Sequence, residues 1–146
     1  MGRRGAVVSP RATVPATRVA DVEDSARPAS RQLIGRRGED AAADHLLHQG
    51  FSVLERNWRC RWGELDIIAA DGPALVVVEV KTRTGDRFGS PAEAVTPAKY
   101  RRLRRLAGLW LDGQSRGFAA VRFDVVAVLL DLRTDAVAVT HIRGIS

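Results

Sequence analysis

The chain has 146 residues and a formal net charge of +6, with 45% hydrophobic and 27% charged residues. This length predicts one domain with a hydrophobic core of its own. The longest apolar run spans residues 125–130, far short of the roughly 20 residues that a membrane-spanning helix needs. No apolar signal-peptide core follows the first arginines. The single cysteine, Cys60, excludes an intramolecular disulfide and a cysteine metal cluster, which fits a reducing cytoplasm.

Residues 1–32 hold three prolines, six arginines and three acids, but no apolar periodicity. This composition predicts a disordered basic tail, with the folded domain spanning residues 33–146. A dispensable extension and a role in DNA contact fit the tail equally well. The positive charge of the whole chain points to a polyanionic partner.

The first half of the domain reads as a helix followed by three strands. The helical pattern covers residues 33–49, and its apolar stripe is formed by Ala42, Ala43, Leu46 and Leu47. A strand over residues 51–56, a loop over 57–63, and strands over 65–70 and 74–81 follow. The turn signal Asp71-Gly72-Pro73 joins the last two strands into a hairpin.

The second half begins with a polar, basic loop over residues 82–89 and a capping pattern over residues 90–93. A helix is predicted over residues 97–112, with its buried face formed by Leu103, Leu106, Ala107 and Trp110. Strands over residues 121–130 and 136–142 complete the chain. The order of one helix, three strands, one helix and two strands predicts a mixed α/β sandwich.

Charged residues interrupt the apolar hairpin at Asp66, Glu79 and Lys81. The period of two residues in a strand places Glu79 and Lys81 on the same face. Burying two carboxylates and an ammonium costs several kcal/mol, roughly, unless they pair or hold a cation. Two carboxylates and the carbonyl of Val80 form a hard-oxygen site that suits Mg²⁺.

A structural ion pair between Glu79 and Lys81, or strand ends that reach solvent, would explain the same residues. Five apolar residues precede Glu79, however, and the chain has only two lysines, Lys81 and Lys99, against 21 arginines. A compact ammonium at Lys81 suits the positioning of a water molecule or a phosphate oxygen better than a guanidinium does.

A dense set of cations on the second helix, together with Arg83 after the hairpin, forms a candidate nucleic-acid-binding surface. The helical members are Lys99, Arg101, Arg102, Arg104 and Arg105. An ordinary solvated helix face is the alternative, and the lack of a compensating acid within the set favours contact with phosphates.

Several other polar residues have weaker signals. Glu64 could supplement the acidic site or pair with Arg59 or Arg61. Asp124, beside Arg122, is interpreted as structural, and His45, His48 and His141 lack a ligand spacing. Trp58 and Trp62 could stack on unpaired bases or cap the core, and the core is the favoured interpretation.

Five ordered segments resemble the small bacterial YraN-like family, which in turn resembles PD-(D/E)xK nucleases and archaeal Holliday-junction resolvases. The segments are GRRGEDAA at 35–42, NWR at 57–59, GELDIIA at 63–69, VEVKTR at 78–83 and RFDVV at 122–126. The resemblance implies a restriction-endonuclease-like mixed β-sheet flanked by helices. Leu65 stands where the proline of the superfamily's motif is expected.

The resemblance also implies roles for individual residues. Asp66, Glu79 and the Val80 carbonyl would hold Mg²⁺ or Mn²⁺, Lys81 would orient the attacking water, and Glu39 would bind the metal directly or through water. The reaction would be hydrolysis of a phosphodiester bond. Nucleic acid, with DNA favoured, is the expected partner, and the bacterial cytoplasm is the expected location. The resolvase resemblance also implies a homodimer. A non-catalytic nucleic-acid-binding module that assists DNA uptake, repair or replication is the second hypothesis.

Overall fold

The computed structural model describes residues 28–85 and 95–146, and these residues form a mixed sheet with a helix on each face. In chain order the elements are α1 (Pro28–His48), β1 (Ser52–Cys60), β2 (Gly63–Asp71), β3 (Ala74–Thr84), α2 (Pro97–Asp112), β4 (Ala120–Asp131) and β5 (Ala136–Ile142). The strands lie in the order β1-β2-β3-β4-β5. Strands β3 and β4 are parallel and the other neighbours are antiparallel. The predicted fold class and element order are confirmed.

Helix α1 begins earlier and buries a narrower stripe than the sequence indicated. It starts at Pro28, where a proline fits because the first-turn N–H groups have no intrahelical partner. Residues 28–32 therefore belong to the helix, and the rest of the predicted tail lies outside the described residues. Ala42, Ala43 and Leu46 are buried as predicted, but Leu47 is 54% exposed. The prediction for Leu47 was wrong because it lies one residue, about 100°, beyond Leu46 around the helix.

Strands β1 and β3 are longer than predicted. Strand β1 runs on to Cys60, so most of the predicted 57–63 loop is strand, and Asn57 accommodates this path with a φ of +54°. The hairpin is confirmed, since Asp71 pairs with Ala74 across Gly72 and Pro73. Strand β3 also includes residues 82–84 of the predicted basic loop, because these residues pair with β4. The capping pattern at 90–93 lies outside the described residues.

Two apolar clusters fix the helices on opposite faces of the sheet. Helix α2 spans the predicted residues and buries the four predicted side chains, and the Thr96 Oγ1 accepts a hydrogen bond from the Lys99 N–H. Its cluster includes Leu65, Ile68 and Val77, whereas α1 packs on Ile67, Val78 and Val126. Burial of each such side chain stabilises the fold by about 1.5–3 kcal/mol. No helix among the described residues is long and apolar enough to cross a membrane.

Gly38 allows α1 to approach β3 closely. A Cβ atom at this position would overlap the Thr82 side chain, whereas a Cβ at Gly35, one turn earlier, would meet nothing within 4 Å. Glu39 is the next residue of the helix, so the close approach at Gly38 also sets the height of Glu39 above the sheet.

We expect Gly38→Ala to destabilise the protein by about 1–3 kcal/mol, because the added methyl group overpacks the contact with Thr82. Gly35→Ala is the matched control and should be neutral or stabilising by up to about 1 kcal/mol, since alanine favours the helix. Urea unfolding of the two variants measures the difference. Equal stability of both variants would contradict the close approach of α1 and β3.

Candidate active site

The candidate site lies where β2 and β3 separate. Their last paired residues are Ile67 and Val78. Beyond this point the Val80 N–H donates a hydrogen bond of 2.9 Å to the Oδ2 of Asp66. On its other side β3 stays paired with β4 as far as Thr84. The Asp66 side chain therefore takes the place of a strand neighbour, and this contact holds it beside the Glu79-Val80-Lys81 segment.

Glu79 is a buried acid whose partner comes from α2. Its residue is only 9% exposed, and its Oε2 lies 2.5 Å from the Lys99 Nζ. The N-cap at Thr96 fixes the first turn of α2 and so delivers Lys99 to this position. Lys99 was predicted to contact phosphates from the helix surface, but the structure places it on the candidate metal-binding carboxylate.

Lys81 follows Glu79 on the same face of β3 and is half-buried. Burial lowers the pKa of its ammonium group, as do the positive charges of Arg83 and Lys99, while the negative charges of Glu79 and Asp66 act in the opposite direction. Lys81 is thus within electrostatic reach of both acids. Arg83 is the next residue on this face and is exposed, as a phosphate-contacting residue must be.

Asp66 has an unusual protonation equilibrium. Burial, followed by the negative charge of Glu79, raises the pKa of Asp66 to about 7, and the charges of Glu39 and Glu64 add to the rise. The hydrogen bond from Val80 partly opposes it. A carboxyl group with this pKa is an acid whose negative charge is poorly compensated, and such groups concentrate at functional sites.

The donor atoms fit a hard divalent cation with a partly retained water shell. Asp66 and Glu79 supply carboxylate oxygens beside the Val80 backbone, and Mg²⁺ usually takes only one or two protein carboxylates. Within residues 28–85 and 95–146, no three His, Cys, Asp or Glu side chains are grouped tightly enough to hold a metal. Glu39 therefore acts on Asp66 through its negative charge. It is not close enough to Asp66 and Glu79 to form a three-ligand group with them.

The raised pKa predicts that Asp66→Asn stabilises the protein in the absence of metal. Well below its ordinary pKa of 3.8 the wild-type carboxyl is neutral in both the folded and the unfolded chain, so the variant gains nothing there, and at pH 4 it gains little. As the pH rises, the unfolded chain ionises first, and the penalty on the folded state is complete above about pH 7. At about 1.4 kcal/mol per pKa unit, the upper limit of the gain is about 4 kcal/mol.

Thermal unfolding in EDTA at pH 4 and at pH 8 measures this effect, with Glu64→Gln as the control. Glu64 is exposed and forms an ion pair of 3.1 Å with Arg59, which is one of the two roles considered for it, and its charge is the smallest of the named contributions to the pKa of Asp66. We expect little change from the control at either pH. A lower melting temperature of Asp66→Asn at pH 8 would contradict the electrostatic description of the site.

The basic face of α2 is exposed as predicted. Leu103, Leu106, Ala107 and Trp110 point into the core, and the remaining positions present Arg101, Arg102, Arg104 and Arg105 to solvent. In the part of the chain that the structure describes, none of these four arginines forms an ion pair.

The two tryptophans of the β1–β2 hairpin have different environments. Trp58 is half-buried against the cluster beneath α2, which confirms the core interpretation. Trp62 is 48% exposed, so the core interpretation was wrong for this residue. The guanidinium carbons of Arg61 and Arg105 lie 4.7 Å and 4.4 Å from the centre of its ring. Trp62 occupies the turn rather than a strand position, and the turn carries it beyond the apolar cluster.

A second polar cluster is centred on Asp124, and the sequence did not predict that its members come together. Asp124 is fully buried and accepts hydrogen bonds from the Arg122 guanidinium and the Gly144 N–H. Its Oδ2 also lies 2.8 Å from His141 Nε2, and His141 Nδ1 lies 3.2 Å from His45 Nε2. Although its burial acts in the opposite direction, these hydrogen bonds lower the pKa of Asp124 to about 2.

This cluster ties the end of the chain to the sheet and supports the structural interpretation of Asp124. Arg122 also donates to Asp71 in the β2–β3 turn. His45 and His141 come together only through the fold, since 96 residues separate them. Burial lowers the pKa of His45, and the neighbouring His141 adds to this effect.

The fold and the site define a mixed α/β protein with an acid and lysine cluster at the point where two strands separate. The chain belongs to the uncharacterised protein family UPF0102, whose profile matches residues 38–128. The family expected from the five sequence segments is therefore confirmed. The matched range includes Glu39, Asp66, Glu79, Lys81 and Lys99.

Proteins named UPF0102 protein from several mycobacteria are similar to the chain over most of their length. The one from Mycolicibacterium vanbaalenii is 60% identical over 117 residues, which cover 80% of this chain and 96% of the relative. The one from Mycobacterium ulcerans is 54% identical over 118 residues, with 80% and 96% covered. The one from Mycolicibacterium gilvum is 54% identical over 121 residues, with 82% and 98% covered.

Proposed function

We propose that the protein is a metal-dependent endonuclease that hydrolyses phosphodiester bonds of DNA. The observation that carries the proposal is the juxtaposition of Asp66, Glu79 and Lys81, in which the pKa of Asp66 is raised to about 7. Because a buried and poorly compensated carboxyl destabilises the folded protein, its presence is better explained by binding of a cation than by stability. The resemblance to PD-(D/E)xK nucleases supports the same function and adds selectivity for branched DNA, as in resolvases.

Each residue has a role in this proposal. Asp66, Glu79 and the Val80 carbonyl would hold Mg²⁺ or Mn²⁺, and the ion would supply Lewis-acid chemistry for hydrolysis of the phosphodiester. Lys81 orients the attacking water and stabilises negative charge that develops on the phosphate. Glu39 adds negative charge from α1 and acts through water. Lys99 neutralises Glu79 when no cation is bound.

DNA is the proposed partner, and the bacterial cytoplasm, at the nucleoid, is the proposed location. The proposal of a homodimer rests on the resolvase resemblance alone. The four arginines of α2 and Arg83 are the proposed phosphate contacts, because phosphate neutralisation by Lys and Arg supplies affinity without sequence preference.

A non-catalytic DNA-binding module is the second candidate, and the ion pair between Lys99 and Glu79 favours it. This contact already gives Glu79 a partner, as a purely structural acid requires. The ion pair does not explain the raised pKa of Asp66, and for this reason we place the nuclease first.

Cleavage and binding of four DNAs test the proposal. Duplex, single-stranded, flap and four-way-junction DNA are incubated with Mg²⁺, Mn²⁺ or EDTA, and binding is measured in parallel. We expect cleavage only with metal and binding in all conditions. If the protein binds these DNAs but cleaves none with either metal, the binding module is the correct function.

Replacement of Arg101, Arg102, Arg104 and Arg105 by Gln is expected to flatten the dependence of log K on log salt. Each phosphate contact that is lost should reduce the slope by about one, because fewer counterions are released on binding. Titrations of a duplex at several salt concentrations measure the slope. Arg133→Gln is the control, since Arg133 lies in the β4–β5 turn beside Asp131. An unchanged slope in the α2 variant would move the DNA-binding surface elsewhere.

A further inference from the structure

We propose that Trp62, between Arg61 and Arg105, is a stacking site for an unpaired base of a nucleic acid strand. A large aromatic ring is costly to leave in water, and Trp62 is 48% exposed in the β1–β2 turn. Both guanidinium groups lie within 5 Å of its ring centre. The turn thus presents a flat aromatic ring that is flanked by two guanidinium groups.

The charges around Trp62 identify the chemistry of its ligand. A nucleotide combines a flat base, which stacks on an aromatic ring, with a phosphate, which pairs with a guanidinium. Arginine contacts with an exposed ring are weaker than stacking of a base on that ring. A base can therefore replace a guanidinium on the ring, while the displaced arginine pairs with the adjoining phosphate.

The position of Trp62 connects it to the candidate active site. Gly63 packs against Leu106 of α2, and Arg105 of the same helix contacts the Trp62 ring. Lys99, which contacts Glu79, precedes Arg105 by six residues, or about 9 Å along the helix axis. Helix α2 therefore carries both contacts, and the proposed strand would run past this helix from Trp62 toward Glu79.

In a paired duplex the base faces are covered by stacking, so Trp62 selects substrates that offer an unpaired base, such as single strands, flaps and open junctions. This inference rests on the nucleic-acid part of the proposed function and not on cleavage. The preference for unpaired bases would therefore come from the Trp62 ring and not from the acids of the candidate active site.

The test is equilibrium binding in EDTA to a single strand of about 12 nucleotides, to the same sequence as a duplex, and to an abasic strand of equal length. Trp62→Ala should weaken binding to the intact single strand by about 5- to 100-fold. Trp62→Phe should restore most of the affinity. Binding to the duplex and to the abasic strand should change less than about twofold, since neither offers an unpaired base.

Leu109→Ala is the matched control, because Leu109 is also an exposed apolar side chain but lies on α2 rather than in the β1–β2 turn. It should leave all three affinities unchanged. Equal weakening on the abasic strand, or an unchanged affinity of Trp62→Ala for the intact strand, would overturn the proposal. A polyglutamate peptide that binds with the same dependence on Trp62 would also overturn it and would indicate a protein partner. The binding test is carried out in EDTA, where no cleavage occurs. Failure of the proposed nuclease activity would therefore leave the test of the stacking site unaffected.

Discussion

Asp66→Asn, Glu79→Gln and Lys81→Met are each expected to lower the rate of DNA cleavage by about 10²- to 10³-fold. The first two changes weaken the metal site, and the third removes the ammonium that stabilises charge on the phosphate. A double variant of Asp66 and Lys81 should be little worse than the poorer single variant, because residues that act as a unit are not additive. Asp66→Asn should bind DNA at least as tightly as the wild type in EDTA, since it removes a negative charge.

Single-turnover cleavage of the preferred DNA, with binding measured beside it, separates the chemical step from affinity. Glu64→Gln is the matched control, because Glu64 is a neighbouring acid that is exposed and paired with Arg59. We expect its cleavage rate to stay close to that of the wild type. Cleavage by Asp66→Asn at the wild-type rate would rule out the proposed active site and favour the binding module.

Asp124→Ala is expected to lower the free energy of unfolding by about 3–5 kcal/mol at pH 7. The substitution leaves Arg122 and His141 without their shared acceptor, and removing one partner of a buried ion pair has a cost of this size. Urea unfolding measures the change. The matched control is Asp40→Ala, since Asp40 pairs with Arg56 at 2.8 Å on the protein surface, where such pairs contribute at most about 1 kcal/mol.

The pH dependence of Asp124→Ala provides a second measurement. The pKa of Asp124 is lowered to about 2, so its stabilising contribution is complete above its ordinary value near 4 and disappears as the pH falls toward 2. The difference in stability between the two proteins should therefore shrink by about 2–3 kcal/mol toward the acidic end of this range, at about 1.4 kcal/mol per pKa unit. A constant difference between them from pH 7 to pH 2 would show that lost packing, and not the charge, causes the effect.

Local signals in the sequence were sufficient for much of the fold. The turn at Gly72 and Pro73 and the cap at Thr96 both act over a few residues, and helix α2 therefore has the predicted bounds. The failures have equally local causes. A positive φ at Asn57 lets β1 continue through a segment that reads as a loop, and Leu47 follows a buried leucine without sharing its face.

Contacts between distant residues could not be predicted from the pattern. The sequence placed Glu79 and Lys81 on one face, but it assigned Lys99 to the outer surface of α2, and the structure shows Lys99 on Glu79. The contact of His45 with His141 depends on the packing of α1 beside β5, which no spacing encodes. Only the scarcity of lysine gave an early sign that Lys99 differs from the arginines around it.

The parallel pairing of β3 with β4 sets the order in which the site can assemble. The β2–β3 hairpin joins neighbours in the chain and can form early, bringing Asp66 beside Val80. Parallel pairing must wait for the connection through α2 to close, because distant segments lose more entropy when they meet. Lys99 lies on that connection. The acids are therefore expected to meet each other before they meet Lys99, and the ammonium of Lys99 then offsets part of their mutual repulsion when the connection closes.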